Sequence, residues 1–301
     1  MMNEKVAFSI DGFNKQMDQP TLHPLMAIID SSKVGNLKGQ SFSGNFYAIY
    51  LRQVPCGSTW YGRSHMDFQY GTIVFKSPGE KVLLENVEAE SGTTGLLFHP
   101  EVFRMEEFVS NKDNYSFFSY KENESLHVSL REKKIVLDCL QHIHKELEHA
   151  IDRHTLRLMA VLIRLLLDYC RRFYERQFIL RSDYNQSYLN MLDHVSDTYF
   201  AQDGHKNLKE GRLYVEQQFH MLSSAYLNDL IQAEIGKTLS EYLQAKMLNL
   251  IRTRLEDCQY PISKIAEEFG FPHSRQLEIR FKNMFGYLPK EYRMNQQKQG
   301  L

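Results

Sequence analysis

The sequence predicts an α+β chain of several domains, in which a β-rich amino-terminal part is followed by helices and then by an all-α part. Three observations predict this fold class. Short apolar runs separated by glycine and proline fill about the first 110 residues. Helical spacing replaces them from about Leu130, and the helical tail then repeats itself at an interval of 50 residues.

The amino-terminal runs have the length and spacing of short antiparallel strands. Turn residues such as Gly44 and Pro78-Gly79 separate them. Five runs are assigned to strands: Leu25–Ile29, Phe46–Leu51, Thr72–Phe75, Val82–Leu84 and Gly95–Phe98. Many short strands with this punctuation are typical of a sandwich or small barrel, so residues 1–125 are predicted to form one β-rich domain.

Two amphipathic helices are predicted in residues 126–180. The second, from about Leu156 to Phe173, has enough apolar surface to pack on the β domain and also on a second copy of the chain. We therefore assign residues 126–180 to a helical dimerisation and linker region. The polar stretch from Arg176 to Asn185 is interpreted as a hinge.

The rest of the chain, residues 184–301, is predicted to be helical and contains the repeat. A shift of 50 residues places Gly236 on Gly286 and Tyr242 on Tyr292. Four further matches are Val215 with Ile265, Phe219 with Phe269, Leu227 with Leu277 and Glu241 with Glu291. Two copies are too few for a solenoid, so the repeat predicts a paired module.

Each copy reads as a helix, a tight turn, a second helix and a glycine stop. In the second copy Pro261 begins the first helix, Gly270 supplies the turn and Ser274 is expected to cap the next helix. In the first copy a polar loop, 201–212, precedes the unit, with Gly211 as a helix breaker. This pattern is a helix-turn-helix, whose second helix enters the major groove of DNA.

Residues 184–294 resemble the AraC/XylS family of transcription regulators. Two segments carry the resemblance in the right order and separation: Tyr226 to Tyr242, and Pro261 to Arg293. The amino-terminal half is similar to the cupin-like sensing and dimerisation domain of many members, and 169–178 looks like the end of their linker helix. The resemblance implies a sequence-specific, DNA-binding regulator that is dimeric and is not an enzyme.

The second helix of each copy supplies the candidates for reading bases, with an ordinary solvated helix face as the alternative for any single residue. The base-facing candidates are Ser224, Ala225, Asn228 and Gln232 in the first copy, and His273, Ser274, Arg275 and Glu278 in the second. Lys237, Arg280 and Lys282 are assigned to backbone phosphates.

Two carboxylates depart from the family pattern. Glu216 or Gln217 occupies a region where the family usually has a small residue. Glu278 would repel phosphate unless it accepts a hydrogen bond from cytosine. From His205 onward there are 14 Lys/Arg against 11 Asp/Glu, so a single tail should bind DNA weakly and dimerisation should recover affinity. The expected partners are double-stranded promoter DNA, a second copy of the chain, and RNA polymerase.

A small-molecule effector is expected in the β domain. Its candidate pocket residues are Tyr47, Tyr50, Trp60 and Phe68, which could equally form the core. No His-x-His lies on a predicted strand and no cysteines have paired spacing, while His142, His144 and His149 are assigned to the polar surface of a helix. No phosphate loop or catalytic motif is found, so we expect neither a metal nor a cofactor. The sequence shows no signal or membrane segment, which favours the cytoplasm.

Two alternative functions stay open at this point. One is a regulator that has lost its DNA contacts and acts through protein partners, as Glu216, Glu278 and the nearly neutral tail would allow. The other is a cupin binding module without a metal, whose tail serves only for interaction.

Overall fold

The computed structural model describes residues 9–30, 40–52, 65, 67–84, 94–104, 115–202, 206–257 and 259–299. The chain divides into two compact units, Met1–Arg181 and Ser182–Leu301. Antiparallel sheets and helices form the first unit, and the described part of the second is helical. The predicted α+β fold class is therefore confirmed.

Seven strands form two antiparallel sheets in the described part of the first unit. They are β1 (Met26–Asp30), β2 (Gln40–Phe42), β3 (Tyr47–Arg52), β4 (Thr72–Lys76), β5 (Val82–Leu84), β6 (Thr94–Phe98) and β7 (Leu126–His127). The larger sheet has the order β1-β6-β3-β4-β7, and β2 pairs with β5. The five predicted strands correspond to β1, β3, β4, β5 and β6. Strands β2 (Gln-Ser-Phe) and β7 (Leu-His) contain one apolar residue each and therefore form no apolar run in the sequence.

One face of the larger sheet is closed by a short helix and the smaller sheet. Helix α1 (Ile10–Gln16) places Phe13 against Phe42 of β2, with 4.8 Å between ring centroids. The alternating side chains of the sheet complete this core. They include Ala27, Ile29, Ala48, Tyr50, Val74 and Leu97. These core residues alternate along each strand with residues of the opposite face, because successive side chains of a strand point to opposite faces of the sheet.

Two long helices also pack in the first unit. Helix α2 (Leu130–Leu147) begins at a capping box of Ser129 and Glu132, and helix α3 (Thr155–Leu180) packs along it. Gln177 of α3 accepts a hydrogen bond from His127 N at 2.8 Å and donates one to Ser125 O at 3.1 Å. These contacts tie α3 to β7, so the helices form part of the same compact unit as the sheet.

The stretch 176–185, which the sequence presents as a hinge, is helical on both sides of Arg181, and the division between the two units falls inside it, after Arg181. Helix α3 continues to Leu180, and α4 (Ser182–Ala201) begins two residues later. Arg181 itself is buried, and its guanidinium forms two hydrogen bonds with the carboxylate of Asp67, at 3.0 and 2.6 Å. The polar residues of this stretch therefore include buried partners, which the sequence pattern could not distinguish from solvated ones.

The second unit continues with six helices after α4 in its described part. They are α5 (Leu208–Gln218), α6 (Ser224–Ile235), α7 (Leu239–Glu256), α8 (Ile262–Glu268), α9 (Ser274–Phe285) and α10 (Pro289–Gln299). The predicted loop at 201–212 is too long, because Asn207 caps α5 and Gly211 lies inside that helix. A Cβ at Gly211 would stand 2.8 Å from the ring of Tyr199, so this glycine serves close packing and does not break the helix.

Candidate nucleic-acid interface

The first helix-turn-helix unit consists of α5 and α6. Val215, Leu227 and Ile231 are buried in its core. Ser223 caps α6, since its hydroxyl oxygen accepts a hydrogen bond from Tyr226 N at 3.1 Å. The helix ends at Gly236, whose φ of +73° is the left-handed conformation that glycine adopts without steric cost. These limits agree with those read from the repeat.

The second helix-turn-helix unit consists of α8 and α9. Gly270 forms the turn with a φ of +70°, and α9 ends at Gly286 with a φ of +85°. The prediction that Ser274 caps α9 is wrong, because Ser274 is already the first residue of the helix. His273 stands at the cap position, where the 50-residue shift aligns it with Ser223, and makes no capping hydrogen bond through its side chain.

Helices α7 and α10, which follow the two helix-turn-helix units, begin in the same way. Glu241 Oε2 accepts a hydrogen bond from Thr238 N at 2.8 Å, and Glu291 Oε2 accepts one from Leu288 N at 2.7 Å. Hydrogen bonds from the backbone and hydroxyl of Thr238 lower the pKa of Glu241. The 50-residue repeat is therefore a repeat of contacts as well as of residue types.

A second pair of contacts anchors these same helices through tyrosine. Tyr242 donates a hydrogen bond to Asp193 of α4, and Tyr292 donates one to Glu256 of α7 at 3.2 Å. Lys246 also binds Asp193, at 3.1 Å. Each tyrosine thus joins the helix after a helix-turn-helix to the helix that comes before that unit.

Besides the connection through helix α7, side-chain and backbone contacts hold the two helix-turn-helix units together. Lys206 N donates to Glu268 O at 2.8 Å, and Lys206 Nζ lies 3.0 Å from Glu268 Oε1. Arg254 of α7 approaches the same carboxylate at 3.5 Å. Beside it, Gly270 faces Asn207, whose Cβ would lie 2.7 Å from a Cβ at position 270. The start of the first helix-turn-helix unit therefore packs directly on the turn of the second helix-turn-helix unit.

The outward face of α6 is neutral or acidic. Its buried side consists of Tyr226, Leu227, Leu230 and Ile231. Ser224 and Gln232 are exposed, and Ala225 is half-buried. Asn228 is also half-buried, and its side-chain oxygen accepts a hydrogen bond from Leu239 N at 3.1 Å. Of these four predicted base-facing residues, Asn228 is therefore already engaged at the start of α7.

The outward face of α9 carries the cations. Arg275 and Lys282 are exposed, while Ser274 and Glu278 are half-buried beside the core residues Leu277 and Phe281. His273 and Arg280 are also exposed, and the Arg280 guanidinium lies 5.9 Å from the ring centroid of Phe271. Of the second set of predicted base-facing residues, His273 and Arg275 are therefore exposed, while Ser274 and Glu278 are half-buried.

Two outward residues were missed by the sequence reasoning. Asp229 of α6 is half-buried, and Ile279 of α9 is 52% exposed. They occupy equivalent positions of the repeat, as do Gln232 and Lys282. Both lie four residues after a predicted base-facing residue, so helical spacing combined with the 50-residue shift would have identified them.

The remaining charged residues lie beside these helices. Lys237 is exposed directly after the Gly236 stop of α6. Glu216 of α5 is half-buried and accepts a hydrogen bond from Arg212 Nε at 2.9 Å. A large residue is accommodated where a small one was expected, because its carboxylate extends to an arginine on the same helix.

The predicted effector residues do not converge on one cavity. Tyr50 is 1% exposed and belongs to the closed core between the sheets. Tyr47 lines a cavity of about 200 Å³, and Phe68 lines a different one of about 410 Å³. Trp60 lies outside the described residues. Tyr47 and Phe68 therefore line different cavities, and Tyr50 takes the core role that the sequence had left open.

Within the described residues, no cluster of three or more His, Cys, Asp or Glu side chains is arranged to hold a metal ion. Across the same ranges, no helix combines the length and the apolar character that crossing a bilayer requires.

Comparison with known proteins gives matches in the carboxyl-terminal unit. A family model described as a helix-turn-helix domain matches residues 219–295. The multiple antibiotic resistance protein MarA of Escherichia coli (strain K12) is 32% identical over 72 residues, which are 24% of this chain and 57% of MarA. MarA of Salmonella typhimurium is 31% identical over the same length. The chain thus spans 57% of the length of these relatives.

Solved structures of ToxT from Vibrio cholerae are also similar along most of the chain. One covers 89% of this chain and 96% of its own, with 9% identity and a TM-score of 0.28. Another, described as wild-type ToxT with a bound unsaturated fatty acid, covers 89% and 94%, with 10% identity and a TM-score of 0.28.

Proposed function

We propose that this chain, whose carboxyl-terminal domain is a helix-turn-helix domain of the AraC/XylS type, is a transcription regulator that binds double-stranded promoter DNA. The observation that carries the proposal is the pair of helix-turn-helix units joined through Lys206 and Glu268, each with its second helix facing outward. Helices presented in this way can enter successive segments of the major groove.

The regulator is proposed to act as a homodimer formed through α3. Leu158, Val161 and Leu165 follow one another at helical spacing and are 49%, 48% and 46% exposed. A second copy is the occupant that best suits this stripe, since the tail carries only 14 Lys/Arg against 11 Asp/Glu from His205 onward. Two such tails on one DNA gain affinity through effective concentration that one tail lacks.

The proposal extends to regulation and location. A small-molecule effector bound in the first unit would bias how the two tails meet DNA. RNA polymerase is proposed as a protein partner, because a DNA-bound regulator acts on the enzyme that transcribes the adjacent gene. A cytoplasmic location is proposed because the target is DNA.

The test is selection of DNA by the full chain from a random duplex library, followed by fluorescence anisotropy at several salt concentrations. We expect one enriched motif, and an affinity for it that falls steeply with salt because phosphates are neutralised. The test variant is Arg275→Ala, which should fold normally and lose preference at one position. No enrichment of any sequence, with binding absent even at low salt, would refute the proposal.

A second candidate is a regulator that acts mainly through protein partners. It is favoured by the absence of Lys and Arg from α6 and by Asp229 on its outward face. Capture of a defined partner by the nuclease-treated full chain, together with failure of the duplex selection, would support it. Recovery of a specific operator would instead exclude it as the main activity.

A further inference from the structure

One pair of residues joins the two helix-turn-helix units directly. Lys206 stands immediately before Asn207, the residue that caps α5, and Glu268 is the last residue of α8. The backbone N–H of Lys206 donates to Glu268 O at 2.8 Å, and Lys206 Nζ lies 3.0 Å from Glu268 Oε1. The start of the first helix-turn-helix unit is thus bound to the second one through both backbone and side chain.

This ion pair is largely shielded from water. The side chains of Lys206 and Glu268 are 10% and 17% exposed. Lys206 Nζ also lies 5.6 Å from the ring centroid of Phe269, which is a buried residue. Salt screens a partly buried pair less than an exposed one. The contact should therefore hold at the salt concentrations at which DNA binding is measured.

Glu268 is the point at which three elements meet. Its carboxylate contacts Lys206 before α5 and Arg254 of α7, while its own helix α8 leads through the Gly270 turn into α9. Helix α7 alone would join the two helix-turn-helix units at one place and leave the second free to tilt. The attachment to Lys206, which is 62 positions away along the chain, restricts that tilt. The position of α9 relative to α6 therefore depends on Glu268.

The geometry of DNA makes the distance between α6 and α9 important. Each base pair advances the major groove by about 3.4 Å along the DNA axis and by about 34° around it. Two helices held at a fixed distance therefore fit base-pair segments at one separation only. Two helices that can shift would also accept segments that lie one base pair closer together or further apart.

We propose that Glu268, held by Lys206, is a positioning residue that sets the number of base pairs between the two segments read by α6 and α9. The inference deepens the proposed function and rests on it, because it concerns how the same DNA is recognised. The carboxylate is directed at Lys206, so it acts through the orientation of α9 and not through a base contact. Its removal should change the preferred spacing of the operator and leave the preferred bases as they are.

The experiment measures binding of the full chain to three duplexes by fluorescence anisotropy. One carries the motif selected from a random library, and the other two have one base pair added or removed between its two specified segments. The test variants are Glu268→Ala and Lys206→Met, which each remove one side of the ion pair. The matched control is Glu267→Ala, because it removes the same charge from an exposed position of the same helix. Circular dichroism checks that all variants fold.

We expect the wild type and Glu267→Ala to bind the two altered duplexes at least tenfold more weakly than the selected one. Glu268→Ala and Lys206→Met should each reduce this ratio to below threefold. A variant that is merely less stable would lose affinity for all three duplexes alike and keep the ratio. The double variant should match the single ones, since both substitutions break one contact.

Two results of this assay would overturn the proposal. One is an unchanged tenfold ratio in either test variant. The other is a wild type that binds the three duplexes equally well, since no spacing would then be set.

Hydrogen exchange of the full chain without DNA separates this inference from the proposed function. Peptides that contain Lys206 or Gly270 should exchange at least fivefold faster in the two test variants, whereas Glu267→Ala should match the wild type. Faster exchange in a chain that selects no duplex would refute the proposed function and leave the attachment between the helix-turn-helix units standing. Selection of a duplex with an unchanged spacing ratio would refute the role of Glu268 and leave the proposed function standing.

Discussion

Gly270 and Gly236 have nearly the same left-handed backbone in different surroundings. A Cβ at Gly236 meets nothing within 4 Å, whereas one at Gly270 would stand 2.7 Å from the Cβ of Asn207. The first position thus tests backbone strain alone, and the second tests strain together with the contact between the two helix-turn-helix units.

We expect Gly236→Ala to lower the free energy of unfolding by about 1–2 kcal/mol, the cost of the left-handed conformation for an L residue. Gly270→Ala should cost about 1–3 kcal/mol more, because the added methyl overpacks the contact with Asn207. Urea unfolding followed by circular dichroism gives both values. Equal losses of unfolding free energy in the two variants would mean that the segment around Asn207 moves aside without a measurable cost.

Asp193 makes the stability of the carboxyl-terminal unit, Ser182–Leu301, vary with pH in the acidic range. Hydrogen bonds from Tyr242 and then from Lys246 hold the pKa of its carboxyl below the ordinary value near 4. A carboxyl pKa that is lower in the folded state stabilises it above the unfolded pKa, and this contribution is lost as the pH falls toward the folded value.

We therefore predict that Asp193→Asn flattens the fall in stability between about pH 5 and pH 3. Thermal unfolding of the variant and of the wild type across this range is the measurement. In a Tyr242→Phe background the same substitution should have a smaller effect, since the main hydrogen-bond donor is already gone. Parallel pH curves for wild type and Asp193→Asn would contradict the assignment.

At the scale of elements, α6 and α9 are alike in geometry and unlike in charge. Arg275, Arg280 and Lys282 stand exposed on α9, whereas the sequence of α6 contains neither lysine nor arginine. DNA binding needs phosphate neutralisation for affinity and base-edge contacts for specificity. The second helix-turn-helix unit should therefore supply most of the affinity.

Two substitutions on α9 separate these roles. Arg275→Ala should weaken binding to the selected duplex by about 1–3 kcal/mol and relax the preference at one base pair. Lys282→Ala should weaken binding to all duplexes alike and reduce the salt slope by about one. Anisotropy titrations with the selected duplex and a scrambled one distinguish them. A uniform loss for Arg275→Ala would assign it to phosphate instead.

Asp229 gives the corresponding prediction on α6. Asp229 is half-buried and occupies the position equivalent to Ile279, which is exposed on α9. We expect Asp229→Asn to raise the affinity for DNA several-fold, since removing a negative charge that faces phosphates reduces repulsion. The gain should shrink at high salt. An unchanged affinity at low salt would indicate that α6 stays away from the backbone.

At the scale of the whole molecule, the apolar stripe of α3 links assembly to DNA affinity. Leu165→Glu places a charge in that stripe, and we expect it to convert a dimer into a monomer in sedimentation velocity. The salt slope of DNA binding should then fall to about half, because one tail neutralises half as many phosphates. Arg171→Glu, outside the stripe on the same helix, should stay dimeric. A dimer in both variants would place the interface elsewhere.

The sequence predicted those elements whose signal is local. The 50-residue repeat located both helix-turn-helix units and the glycine stops at 236 and 286, because these positions depend on backbone conformation and helical spacing. Short apolar runs between turn residues located five strands of the sheets. Strands β2 and β7 were not found because each contains a single apolar residue.

Other features depend on partners that are distant along the chain. The pairing of Asp67 with Arg181 spans 114 positions, and it buries an arginine inside a stretch that reads as polar in the sequence. Gly211 was read as a breaker, although the ring of Tyr199 is what requires a glycine there. Asn228 was assigned to DNA, whereas Leu239 N already binds its side-chain oxygen.

The sequence by itself thus determined the fold class, the duplicated tail and the helices that face outward, since periodicity and glycine positions are properties of the local chain. Only the tertiary structure decided which polar residues are already engaged, where a cavity exists and how the two helix-turn-helix units are joined. The physical reason is that hydrogen bonds, ion pairs and close packing depend on distances in space, and no spacing along the chain encodes the partner that completes them.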